Sequence, residues 1–420
     1  MKTRQELRVP TVNSERIQNR INKLSTFTDP DKPWSRTAFS ERHLAARGWL
    51  ADEMCLMGMA VDIDAGGNLI GRLPGLLDQL PTLASGSHSD TVPAGGRFDG
   101  AAGVIVALEA ASALRDAGHK LRHPFEVIDF LAEEPNKYGL SCVGSRAMAG
   151  ELTAAQLSYK AADGTTLAEG IALMGGDPKK LGSPVRVRGG IKAFLELHIE
   201  QGRVLENAGD DVGVVTAIVG ITRIAFEVLG RPDHAGTTPM GMRKDAMVAA
   251  SAMIVGFERR ALEESPAMVA TVGKLEVGPN ASNVVPGQVD FTLEIRSSSS
   301  EQLQRFASWA QWYATTIASE RNLDVVSSII GKSEPIEMDP TVQIAFCDAA
   351  ASHKFRYRSM PSGAGHDAAH VALFAPSGMV FIPCLDGRSH CPEEFASADQ
   401  LARGAQTLLG AILILDDNHK

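Results

Sequence analysis

The sequence predicts an α/β protein in which one domain is interrupted by a smaller, inserted one. Three observations predict it. Residues 1–212 alternate strand-like and helix-like segments, the pattern of layered α/β folds. Residues 213–331 change rhythm to strand, helix, strand, strand, helix, strand, the split unit of ferredoxin-like domains. The α/β pattern then returns over 332–420, which closes the outer domain around the insert.

Each element has its own warrant. Residues 101–117 carry apolar side chains at helical spacing and stop at Gly118, a residue suited to the left-handed position after a helix. Phe125–Leu131 is a short apolar run and reads as a buried strand that delivers Glu133 and Glu134 at its carboxyl end. In open α/β sheets, ligands bind at the carboxyl ends of strands. Residues 193–199 alternate, with Leu195, Leu197 and Ile199 on one face and Glu196 and His198 on the other, so His198 is also presented at a sheet end. Within the insert the expected order is strand Val214–Leu229, helix Lys244–Glu264, strand Met268–Val277, strand Gln288–Arg296, helix Ser300–Arg321 and strand Asp324–Ile330. Val289, Phe291, Leu293 and Ile295 face one side of its third strand, and serines 297–300 cap the helix that follows.

Bulk properties narrow the function. A length of 420 residues exceeds one ordinary core and suits two domains. With 44% hydrophobic and 22% charged residues the chain reads as soluble and globular. A net charge of −9 supplies no basic face for nucleic acid or anionic lipid. Met1–Gln5 opens without an apolar core segment, which argues against secretion, and no apolar run is long enough to span a bilayer. Five scattered cysteines without a CxxC pair read as the reduced thiols of a cytoplasmic protein. Cys391 adjoins His390, and is read as a small filler rather than a ligand.

The chemistry concentrates in a few places. Residues 86–100 place His88, Asp90 and Asp99 in a Gly-rich loop behind a strand end. Glu133, Glu134 and His198 follow two further strands, and His390 comes late in the chain. Neutral imidazoles and carboxylates suit a borderline divalent ion such as zinc. His88, Asp99, Glu134, His198 and His390 are too many donors for one tetrahedral zinc, and suit two ions that share a carboxylate. Of two adjacent carboxylates, one can bind metal while the other handles protons, which points to a hydrolase. Asp90 keeps two readings: the partner that fixes the tautomer of His88, or an Asx turn before Thr91-Val92-Pro93. Neither a P-loop nor a dinucleotide fingerprint occurs, so no nucleotide cofactor is indicated.

The ordered motifs GSHSDTVPAGGRFDGAAGV, EEP, HIEQG, GRPDHAGTTPM, NVVPG, SGAGHDA and GRSHCPEEF carry a resemblance. Together they resemble the hydantoinase/carbamoylase branch of the zinc-dependent M20 metallopeptidase superfamily, over roughly residues 10 to 415. That branch includes N-carbamoyl-L-amino-acid hydrolases, allantoate amidohydrolases and β-ureidopropionases. The resemblance implies two divalent ions per subunit: zinc, or manganese, cobalt or nickel. His88, Asp99 and His198 would hold one, and Asp99, Glu134 and His390 the other. Glu133 resembles the general base that takes a proton from a metal-bridging water and passes it to the leaving nitrogen. Asp90 would support His88. His234 would reach the partner subunit's site and polarise the scissile carbonyl, which implies a homodimer built through the inserted lid domain. Asn283 and Arg296 resemble residues that grip a substrate carboxylate, and a guanidinium suits that task. Gln201 and Arg223 resemble further substrate contacts. His366 stands in a Gly-rich loop and has either a substrate-side or a structural role.

The implied reaction is hydrolysis of the carbamoyl C–N bond of an N-carbamoyl L-amino acid or similar ureido acid. Allantoate amidohydrolase is the nearest alternative, metallo-dipeptidase or aminoacylase the next, and a non-catalytic metal-dependent binding protein a different class. Two departures bear on the substrate. The acidic pair is followed by Pro135-Asn136-Lys137-Tyr138-Gly139 where many relatives have Gly-Ser-Arg-Phe, and Ile221 stands where Gln is frequent.

Overall fold

The computed structural model describes residues 10–183, 185–265 and 268–417, so the Met1–Gln5 stretch read above lies outside the described residues. The chain forms two compact units. One comprises the chain up to Thr216, Met338–Met360 and the chain from His366 onward; the other comprises Ala217–Glu337 and Pro361–Gly365. Among the described residues, no helix is long and apolar enough to cross a membrane.

The first unit is a mixed sheet covered by helices. Its strands begin β1 (Ala60–Ile63), β2 (Leu69–Leu73), β3 (Thr82–His88), β4 (Phe125–Phe130), β5 (Ile191–Ile199) and β6 (Val212–Ile218). β7 (Gly220–Leu229), β8 (Val269–Gly278), β9 (Gln288–Ser297), β10 (Asp324–Ser333) and the short β11 (Ile336–Glu337) follow, before β12 (Tyr357–Ser362) and β13 (Ser377–Ile382). In the large sheet the order runs β1-β2-β4-β3-β5-β13-β6. β3 is parallel to both β4 and β5, and β5 is parallel to β13. In the β3–β4 register His88 lies opposite Phe130, so the carboxyl ends of these strands finish side by side. That alignment is what positions the candidate site.

The helix Ala101–Asp116 is buried from Ala101 to Leu114, which explains why that stretch is apolar apart from Glu109 and Ser112. Gly103 lets it approach the sheet: a Cβ there would meet the Leu197 carbonyl oxygen at 2.4 Å and the Ser87 Cβ at 2.6 Å. Gly118 takes a φ of 66° just beyond the helix, as the sequence suggested. β3 and β4 are buried along their whole length, and so are both faces of β5, apart from half-buried Lys192. Leu195, Leu197 and Ile199 join the main core, while Glu196 and His198 turn into a buried polar cluster.

The second unit is a four-stranded antiparallel sheet in the order β10-β7-β9-β8. Its helices, Ala246–Glu264 and Ser300–Glu320, pack on one face over Phe226, Phe257, Phe291 and Phe306. Val289, Phe291, Leu293 and Ile295 are buried, as the alternation in β9 requires. The single strand expected over Val214–Leu229 is corrected to two. β6 pairs with β13 in the large sheet, and β7 pairs with β9 and β10 in the small one. The break at Val219 and Gly220 has a steric cause, because a Cβ on Gly220 would meet the Ser333 carbonyl oxygen and the Pro335 nitrogen at 2.6 Å.

Candidate active site

His88 ends β3, and the helix Ala101–Asp116 starts at Gly100 directly against its ring. Gly100 takes a φ of 61°, and a Cβ there would sit 2.3 Å from the imidazole, so only glycine allows the chain to turn past His88 and present Asp99. Ala132, at φ 55°, bends the chain after β4 and aims the acidic pair Glu133–Glu134 into the same region. His198 comes from the end of β5, and His390 from a loop where its own φ is 55°.

These residues form two groups that share one aspartate. His88, Asp99 and His198 lie within metal-binding reach of one another, and so do Asp99, Glu134 and His390. Asp99 Oδ1 stands 3.0 Å from His198 Nε2. Asp99 Oδ2 stands 2.9 Å from His390 Nε2, which is also 3.2 Å from Glu134 Oε1. The ring tautomers follow from the backbone. His88 Nδ1 faces the Asp90 carbonyl at 3.1 Å and His198 Nδ1 faces the Ile199 carbonyl at 3.0 Å. A carbonyl only accepts, so both rings carry a proton on Nδ1 and turn Nε2 toward the group, the arrangement that suits metal-ligating imidazoles.

Asp90 touches both His88 and the acidic pair. Its carboxylate is 3.7 Å from the His88 ring, and accepts the backbone N–H groups of Glu133 at 3.3 Å and Glu134 at 3.2 Å. It holds the backbone of the acidic pair, while its carbonyl orients His88. Glu133 Oε2 lies 3.7 Å from His88 Nε2, and Cys142 Sγ donates to Glu133 Oε1 at 3.5 Å. Gln201 Nε2 donates to Asp99 Oδ2 at 3.0 Å. His366 packs its ring on His198 with centroids 4.5 Å apart, and Glu196, His198 and His366 make a third group within metal-binding reach.

The electrostatics of the metal-free chain favour a cation here. Burial pushes the Glu133 carboxyl well above the usual range, opposed by His88 and reinforced by Asp367 and Glu134. Burial likewise lifts Asp90 to about 6 and Asp367 well above its ordinary value. Asp99 is also pushed up by burial, but hydrogen bonds from His198 and His390 override this and hold it well below the usual range. Hydrogen bonds to Asp99 and Glu134 push His390 up to about 10. Buried carboxylates in such number repel one another unless positive charge joins them, and oxygen and imidazole donors fit a divalent ion.

The remaining candidates belong to the second unit. His234 and Asn283 are exposed and stand side by side: His234 bridges to Val284, and the Ala235 N–H donates to the Asn283 carbonyl at 2.9 Å. His234 Nδ1 accepts the N–H groups of Gly236 and Thr237 at 3.0 and 3.2 Å, so the neutral ring carries its proton on Nε2. Arg296 and Arg223 share Glu294. Arg223 Nε donates to its Oε2 at 2.6 Å and Arg296 Nε to its Oε1 at 2.8 Å, while Arg296 Nη1 reaches the Gly363 carbonyl at 2.7 Å. Two cations against one carboxylate leave this group a net positive charge.

Sequence reasoning overlooked Glu196, Asp367, Ser389 and Glu394, which are hydrogen-bonded into the buried cluster, and Glu294. Glu196 accepts from Ser87 Oγ at 2.7 Å and from the Ala368 N–H at 3.0 Å, and Asp367 accepts from Ser145 Oγ at 2.6 Å. For Glu196 the available signal was an acidic residue in an otherwise apolar strand, and for Asp367 an acidic residue next to a candidate histidine.

Oxygen and nitrogen donors gathered at parallel strand ends, with His390 on the exposed side, suit the hydrolysis that a bound divalent ion promotes; this is the class of the metal-dependent hydrolases. Comparison with known proteins makes the assignment more specific. Residues 84–414 match peptidase family M20/M25/M40, and the chain belongs to that family. It is 39% identical over 404 residues to an N-carbamoyl-L-amino-acid amidohydrolase of Paenarthrobacter aurescens, covering 96% of this chain and 98% of the relative. It is 34% identical over 394 residues to an allantoate amidohydrolase of Escherichia coli K12, covering 93% and 95%. A crystal structure of an amidase of the hydantoinase/carbamoylase family from Burkholderia multivorans superposes with a TM-score of 0.93 at 33% identity, covering 97% of this chain and 99% of the other.

Proposed function

We propose that this protein hydrolyses the carbamoyl C–N bond of an N-carbamoyl L-amino acid or a similar small ureido acid. The observation that carries the reading is Glu133 standing beside two donor groups that share Asp99. The named activities of the relatives support the substrate class. His88, Asp99 and His198 would hold one divalent ion, and Asp99, Glu134 and His390 a second: zinc, or manganese, cobalt or nickel. Such ions lower the pKa of a bound water from 15.7 to about 7 and polarise a carbonyl oxygen.

The chain's own residues do the rest. Glu133 accepts the proton of the attacking water and returns it to the departing nitrogen, a task for a carboxylate within one water of both. His234 donates its Nε2–H to the developing oxyanion from the partner subunit. Arg296 and Asn283 take the substrate carboxylate, with Gln201, Arg223 and His366 as further contacts. Three of the five N–H groups of Arg296 are engaged by Glu294 and Gly363, and two remain for a carboxylate. The products are the amino acid, carbon dioxide and ammonia. Asp90 acts by holding Glu133 and Glu134 in place.

The strand order of the second unit supports a ferredoxin-like lid and dimerisation domain. Val248, Val255 and Leu262 are exposed at seven-residue intervals on its helix Ala246–Glu264, with exposed Met240 and Met242 just before it. A stripe of that kind suits a second copy of the chain. Leu262→Arg with Val255→Arg is expected to turn a dimer into a monomer by light scattering, and to lower activity because His234 then has no partner site. A monomeric, fully active double variant would remove His234 from the mechanism. Five free cysteines support the reading of a cytoplasmic protein.

The deciding experiment is ammonia release from N-carbamoyl amino acids, allantoate and dipeptides, with and without a chelator. Chelator-sensitive release from an N-carbamoyl amino acid is expected. Turnover of allantoate alone would favour the second reading, allantoate amidohydrolase, and cleavage of dipeptides alone would favour a dipeptidase or aminoacylase. Arg296→Ala is expected to raise KM about 10–100-fold, the worth of a charged hydrogen bond, with a smaller effect on kcat. Arg296→Lys should recover only part of this, because it lacks the planar fork. An unchanged KM in Arg296→Ala would place the carboxylate elsewhere.

A further inference from the structure

We infer that Glu394 is a positioning residue that staples the loop bearing Asp99 to the loop bearing His390, and thereby sets the affinity of their shared site for a divalent ion. The inference rests on the ligand roles proposed above for Asp99 and His390. Glu394 is 1% exposed. Its Oε1 accepts the backbone N–H groups of Phe98 at 2.8 Å and Asp99 at 3.0 Å. Its Oε2 lies 2.9 Å from Ser389 Oγ, and that hydroxyl is 3.0 Å from Asp99 Oδ2. Glu394 therefore holds the Asp99 backbone directly, and it shares with the Asp99 side chain the Ser389 hydroxyl, whose one proton serves either carboxylate.

The surroundings are built for this contact. Residues 94–100 are turns and bends without a strand ladder, so these bonds govern where the Asp99 carboxylate stands. Gly96 makes room for the staple, because a Cβ there would fall 1.9 Å from the Glu394 carboxyl. Ser389 and Glu394 flank His390 on its own loop, so a shift at Asp99 is passed to His390 and the reverse. Outer partners of metal ligands are commonly worth 10–100-fold in metal affinity.

The test is titration of the metal-stripped full chain with zinc against a chromophoric chelator. It compares wild type, Glu394→Ala, Glu394→Gln and Ser389→Ala, with Asp99→Ala as the ligand control. Glu394→Ala is expected to weaken zinc binding by about 10–100-fold. Glu394→Gln should recover most of it, since the amide oxygen still accepts both N–H groups, and Ser389→Ala should fall between. Wild-type zinc affinity in Glu394→Ala, alongside a lower melting temperature, would make Glu394 a prop for the fold and overturn the inference. If Glu394→Ala does not fold, Ser389→Ala decides: wild-type affinity there overturns it. Unchanged zinc binding in Asp99→Ala would instead overturn the ligand assignment beneath it.

Discussion

Glu133→Gln is expected to lower kcat by about two to four orders of magnitude while leaving the metal content of the protein unchanged. The amide has the shape of the carboxyl but cannot accept the proton of the attacking water. The donors of both groups stay in place, since Asp90 grips the backbone N–H of residue 133 rather than its side chain. Folding should not suffer. Burial raises the Glu133 carboxyl in the metal-free chain, so its ionised form costs stability once pH exceeds the ordinary carboxylate range. A neutral amide removes that cost. Rate measurement on the best ureide and elemental analysis of the same sample check both halves. Near-normal turnover would remove Glu133 as the base, and lost metal would make it a ligand.

The second large effect is loss of the metal, reached by a chelator or by Asp99→Ala. Asp99 is the oxygen donor common to both groups, so its removal is expected to empty both together and take turnover to background. Chelation should also lower the melting temperature of the wild type. A ligand at a hundred times its Kd stabilises by about 2.7 kcal/mol, which corresponds to roughly 5–10 °C for a domain of moderate size. Without the ion, burial raises the carboxyls of Asp90, Glu133, Glu196 and Asp367, and neighbouring carboxylates add to the rise at Asp90, Glu133 and Asp367. The effect should therefore shrink as pH falls, because protonated acids no longer need the cation. Activity and a melting temperature that ignore the chelator would rule out a metal role.

The sequence made much of this legible because local patterns carried it. The alternation in β5 and β9 and the apolar run of β4 follow from sheet periodicity. His88, Asp99, Glu134, His198 and His390 could be read because each sits at a strand end or in a Gly-rich loop. The break between β6 and β7 was not legible, because continuous β-forming residues hide a change of partner sheet; Gly220 was its only mark. The grip of the Asp90 carboxylate on the N–H groups of residues 133 and 134 was not legible, since which oxygen meets which N–H depends on backbone path. Glu394 was invisible because its contacts join residues 296 positions apart, and no local pattern encodes them.

The order of the donors along the chain has a consequence for how the protein is made. Four of the five proposed ligands fall between residues 88 and 198, while His390 follows 192 residues after His198. Domains fold largely from the amino terminus during synthesis, at about 5–20 residues per second. The ribosome therefore has to reach residue 390 before Asp99 and Glu134 meet the last of the proposed donors. A message truncated upstream of His390 would yield a product with an incomplete second group and no Glu394 to hold Asp99. On the proposed ligand assignment, translation products that stop short of residue 390 would be inert.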